Sequence, residues 1–164
     1  MSWYQVVRFF HVGSAIVFIG GIFSRQIVRS LAGKSKDVQQ LAAMYAAAGR
    51  IESTMVIPGN LAVIGFGIVY ALLLKAPILG FLQGASSNWL LVCNLLLVLG
   101  MLMVPFFFLP RGRRFEMALQ DALAANEMTL ELRRHMNDPQ VKLAHALELT
   151  LLILVVILMV FRPF

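Results

Sequence analysis

The sequence predicts an all-α integral membrane protein, a four-transmembrane-helix antiparallel bundle with a cytoplasmic amphipathic helix between spans three and four. Three observations carry this. The chain is 60% hydrophobic and only 13% charged, whereas a soluble domain is nearer half apolar and a quarter charged. Four apolar segments, about 4–28, 54–74, 88–109 and 144–161, each approach or exceed the roughly 20 residues that a helical span needs. The basic residues flank these segments. Backbone groups in lipid must be bonded within the protein, and no alternating strand pattern indicates a barrel, so the spans are expected as helices. Residues 1–164 read as a single integral membrane domain.

The first span reads WYQVVRFFHVGSAIVFIGGIFSRQIV over 3–28. It exceeds the apolar core of a signal peptide and is preceded by no basic cluster, so it is expected to stay as a span. The second, TMVIPGNLAVIGFGIVYALLL, is preceded by alanines at 42, 43, 46, 47 and 48. Alanine favours helix, so this helix is expected to begin near Val38 and run on into the membrane. Pro77, Gly80 and Gly84 break the chain into a short turn after it. The third span, NWLLVCNLLLVLGMLMVPFFFL, leads into a polar stretch in which Phe115, Ala118, Leu119, Ala122 and Leu123 share one helical face. That stretch reads as a surface helix or an extension of the third span. Asp138-Pro139 is an N-cap and first-turn pair for the last helix, which should run to about Phe161.

Charge sets the orientation. Arg25, Arg29, Lys34, Lys36, Arg50, Arg111, Arg113, Arg114, Arg133, Arg134 and Lys142 fall on one side, against Arg8, Lys75 and Arg162 on the other. The positive-inside rule puts the richer side in the cytoplasm and both termini outside. The same rule accounts for the net charge of +6, so nucleic acid is not an expected partner. Membrane lipids are expected, and a homo-oligomer or larger membrane complex fits the glycine-bearing faces. The one cysteine, Cys93, allows no internal disulfide.

His11 is the main candidate for a site. It lies within the first span, and a polar ring at membrane depth costs free energy unless it meets a partner. Two readings stand: a hydrogen bond between helices, to a backbone carbonyl or to Asn60, or a ligand or proton-relay role. Arg8 is one turn outward, and Arg162 ends the fourth span on the same side. This suits a haem, with imidazole on the iron and arginines at the propionates. Gly13, Gly20 and Gly21 follow on the same helix and are expected to make room for a neighbouring helix or a flat ligand. A second polar group comprises Arg50, Glu52, His145 and Glu148, with the last two at i, i+3 on one helix. It reads chiefly as an ion-paired network at the helix ends, because a di-iron bundle needs more carboxylates.

Three stretches together resemble a known pattern: FFHVGSAIVFIGGIF, IPGNLAVIGFGIVYALL and LTLLILVVILMVFRPF. They resemble the bacterial four-helix membrane family designated domain of unknown function 2269. More distantly, they are similar to HemJ-type protoporphyrinogen oxidases and CopD-like membrane proteins. The nearer resemblance implies the fold and a bacterial inner-membrane location, with no activity. The distant one implies b-type haem with the first-helix His, here His11, as iron ligand. The HemJ pattern also has a Lys in its third helix, and the span 88–109 has none. The function expected is therefore redox or haem-linked, with an accessory subunit or assembly factor as the alternative.

Overall fold

Charge and hydropathy dictate helices, and the computed structural model, which describes residues 2–163, contains helices and no strand among them. The first helix, α1 (Trp3–Ala32), starts where Gln5 accepts the Ser2 N–H through its side-chain oxygen at 3.0 Å. After a short turn, Asp37 caps α2 (Val38–Ile51) by accepting the Gln39 N–H. The helix then continues through a wide π turn at Glu52–Val56 into α3 (Ile57–Leu73). The helical entry to the second span is thus as expected from its alanines.

In the second half, a 3-10 turn at Gly80–Gln83 precedes α4 (Trp89–Met103). A second π turn, Val104–Phe108, leads directly into α5 (Leu109–Ala125). The amphipathic stretch is therefore an extension of the third span. A left-handed Asn126 ends it, and Thr129 caps the short α6 (Leu130–Met136) by accepting the Leu132 N–H. Asp138 accepts the Gln140 N–H at 2.8 Å and Pro139 opens α7 (Pro139–Phe161), the cap pair the sequence predicts.

The two π turns share a cause. Proline cannot donate to the carbonyl four residues back, and its ring crowds that carbonyl. Pro58 and Pro110 each stand two residues beyond a wide turn, and the carbonyls they would crowd, those of Thr54 and Phe106, lie inside it. The turn takes in one more residue: the Ile57 N–H reaches back to Glu52 and the Leu109 N–H to Val104. In the first turn the Ser53 and Thr54 hydroxyls both donate to the Arg50 carbonyl, at 3.1 and 2.7 Å.

The chain divides into two units, residues 1–76 and 77–164. In the first, α1 runs antiparallel to α2–α3. Two glycines let them approach. A Cβ on Gly59 would lie 3.0 Å from the backbone of Phe18, and one on Gly21 would lie 2.9 Å from the Met55 Cβ. Val38, Leu41, Ala48 and Ala32 are buried at the end of this unit away from the N-terminus. In the second unit, α4 and α7 are antiparallel. Arg162 lies over the Trp89 ring at one end, and Arg111 bonds Gln140 at the other. Cys93 is fully buried here, as are Ala122 and Leu132 of the α5 and α6 segments. Four helical stretches, Trp3–Ala32, Val38–Leu73, Trp89–Ala125 and Leu130–Phe161, are long and apolar enough to cross a membrane.

Candidate functional site

The face of α1 that meets α2–α3 is built on a seven-residue spacing: Tyr4, His11, Phe18 and Arg25. Such a spacing keeps one seam of a helix against its neighbour. Each of the four meets a different group opposite.

His11 sits about two turns inside the helix. Its Nδ1 is 3.0 Å from the carbonyl oxygen of Val63. A carbonyl only accepts, so Nδ1 carries the proton and a neutral ring keeps its lone pair on Nε2. The interhelical hydrogen bond goes to a backbone carbonyl, one of the two partners expected, and not to Asn60. Gly67, one turn beyond Val63, provides the space: a Cβ there would be 3.0 Å from Cε1 and 3.2 Å from Nδ1 of the imidazole. Tyr70 lies a further turn along, its ring nearly parallel to His11 at 6.2 Å between centroids. The Tyr70 hydroxyl donates to that of Tyr4 at 2.9 Å. Phe10 and Phe66 stack at 5.2 Å beside this group. Val63, Gly67 and Tyr70 follow i, i+4, i+7 and so form one face of α3.

Arg8 is exposed one turn nearer the start of α1. The three glycines expected around His11 separate. At about 100° per residue, Gly13 and Gly20 lie on the far side of α1 from His11, and nothing comes within 4 Å of a Cβ placed on either. Gly21 is filled by Met55 and Val56. Arg162 belongs to the second unit, with its guanidinium 5.2 Å from the Trp89 ring centroid.

The second polar group also divides. Glu52 pairs with Arg25, which is only 5% exposed. Arg50 is exposed, and its carbonyl takes the two hydroxyls of the π turn. In the second unit, His145 and Glu148 are 3.3 Å apart, and the His145 ring stacks on Phe108 at 4.8 Å. Among the described residues no three His, Cys, Asp or Glu gather closely enough to hold a metal ion by themselves.

Arg25, Gly67 and Tyr70 are the site residues that the sequence reading did not single out. The signal was present in the seven-residue spacing that links Arg25 to His11, and in the Val63–Gly67–Tyr70 face.

These features define a multi-pass α-helical membrane protein with polar groups held between two of its helices. The family model described as "Predicted integral membrane protein (DUF2269)" matches residues 5–163, and the chain belongs to that family. No curated protein and no solved structure matches the chain.

Proposed function

We propose that this membrane protein has a redox-linked role and holds a b-type haem through His11. The observation that carries the reading is the hydrogen bond from His11 Nδ1–H to the Val63 carbonyl. Metal-bound histidines commonly donate their other ring N–H to a carbonyl, which fixes the tautomer and raises the basicity of the ligating nitrogen. Among the described residues the structure gives Nε2 no hydrogen-bond partner, so the donor set fits one axial ligand. Arg8, exposed one turn outward, is suited to a propionate. A bound haem would supply one-electron chemistry. His11 would orient it, and Gly67 would keep the imidazole upright against α3. The basic helix ends support a topology with both termini outside, in a bacterial inner membrane.

The test is an absorption spectrum of the purified protein before and after dithionite. A Soret band that shifts on reduction, and is lost in His11→Ala, is expected. A preparation from haem-replete cells with no Soret band removes the proposal.

A second reading, a non-catalytic accessory subunit or assembly factor, draws on Gly13 and Gly20. They lie seven residues apart on one face of α1, with open space where a Cβ would be. Small residues of this kind let another helix approach in a membrane. Its signature is co-purification with a partner at fixed stoichiometry and no chromophore.

A further inference from the structure

The connection between the second and third spans has features that an aqueous loop does not need. It belongs to a stretch, 76–110, that contains no Asp, Glu, Lys, Arg or His. The loop exposes three large apolar side chains at and just before its 3-10 turn: Leu79 is 47% exposed, Phe81 62% and Leu82 65%. Six of its backbone donors are nevertheless bonded locally. Gly80, Leu82, Gly84 and Ala85 donate to carbonyls at positions 77 to 81. Leu79 donates to the Gln83 side chain at 3.1 Å and Phe81 to the Asn88 side chain at 2.8 Å. On the acceptor side, Asn94 reaches out of α4 to bond the Ile78 carbonyl at 3.0 Å.

The Gln83, Asn88 and Asn94 side chains thus bond the loop's backbone, while Leu79, Phe81 and Leu82 are exposed. A loop in water gains little from this arrangement, because water satisfies its N–H groups. In hydrocarbon the same arrangement is required, since every unsatisfied backbone group there is costly. The loop is also tied to the membrane boundary. It runs directly into Trp89, whose ring lies beneath Arg162, and such aromatic and basic side chains mark the interface.

We propose that residues 77–85 form a lipid-inserted wedge, with Leu79, Phe81 and Leu82 among the acyl chains of the leaflet at the Trp89–Arg162 end of the unit. The partner is the bilayer itself. Gly80 makes the wedge possible. It has φ +55°, and a Cβ on it would lie 2.5 Å from the Asn88 oxygen that accepts the Phe81 N–H.

The experiment places one tryptophan in a Trp3→Phe, Trp89→Phe background, at Phe81→Trp, with Leu82→Trp as a second variant and Lys36→Trp as the water-exposed reference. Each full-length protein is reconstituted into nanodiscs of ordinary or brominated phosphatidylcholine. The wedge predicts that brominated lipid lowers emission from positions 81 and 82 by at least about twofold, because these side chains sit at hydrocarbon depth. It also predicts that iodide quenches them far less than position 36. Iodide quenching equal to that at position 36 overturns the proposal. So does a tryptophan that neither agent quenches, since protein would then cover the loop.

Discussion

His11 Nδ1 stands 3.0 Å from the Val63 carbonyl oxygen, and the same ring edge rests against Gly67. The hydrogen bond therefore depends on a missing side chain one turn away. Gly67→Ala would put a Cβ 3.0 Å from Cε1 and force the imidazole aside. Overpacking of this kind costs about 1–3 kcal/mol. Thermal unfolding in detergent should show that loss, whereas Gly65→Ala, with open space at its Cβ, should stay within about 0.5 kcal/mol of the parent. Under the haem reading, Gly67→Ala also lowers haem content.

Phe18 and Gly59 set how closely α1 and α3 approach. The atoms a Cβ on Gly59 would meet are the Cα and N of Phe18, both at 3.0 Å. Backbone cannot swing away as a side chain does, so Gly59→Ala must move the helices apart. Gly13→Ala and Gly20→Ala should be neutral, or gain up to about 1 kcal/mol from helix propensity. Unfolding measured in one detergent across the series tests this ordering. A Gly59→Ala protein as stable as Gly20→Ala would contradict it.

Arg25 and Glu52 form an ion pair beside the first π turn. Removing one partner leaves the other charge uncompensated, a loss of 3–5 kcal/mol for a fully buried pair. Glu52 keeps 31% of its side chain exposed, so Arg25→Ala should cost less, about 2 kcal/mol, because solvent screens the orphaned carboxylate. Arg25→Met combined with Glu52→Leu should recover most of it, since apolar replacement of both partners is often neutral. A double mutant less stable than Arg25→Ala would rule this out.

Gly80 adopts a positive φ beside Asn88, whose side-chain oxygen accepts the Phe81 N–H. Gly80→Ala meets both backbone strain and a close contact, and should cost about 1–3 kcal/mol. Asn88→Ala should cost about 1 kcal/mol through the orphaned Phe81 N–H. Gly84, with φ +73° but nothing within 4 Å of a Cβ, should be the milder site. Urea or thermal unfolding of the three variants gives the ranking.

Four spans, the helical entry at Val38 and the Asp138-Pro139 cap were legible in the sequence because they rest on composition and on local backbone chemistry. Each needs only neighbouring residues to be read. The surroundings of His11 were legible only in part. A polar ring inside an apolar helix announces a partner, but a backbone carbonyl on another helix has no side-chain signature. The glycines show the same limit. Gly13 and Gly20 look like Gly59 and Gly67 in a sequence, and only the facing helix separates an open position from a filled one. Glu52 was grouped with Arg50 by proximity along the chain, whereas its charge partner is Arg25, 27 positions earlier. The wide turns were missed as well. Pro58 predicts a kink, and the structure absorbs it by taking one more residue into the turn.

That extra residue has a consequence for reading the family to which this chain belongs. With 3.6 residues to a turn, a count that treats the added residue as an ordinary one is out by about 100° for everything after it. A helical wheel drawn across 52–56 or 104–108 therefore puts the two ends of a helix in false register. Deleting a single residue within either segment would restore the ordinary repeat there while leaving the two halves of the helix facing as they do now. At 52–56 it is the wide turn that lets Glu52 meet Arg25 and Gly59 meet Phe18 together; an ordinary helix of the same length would turn one of them away.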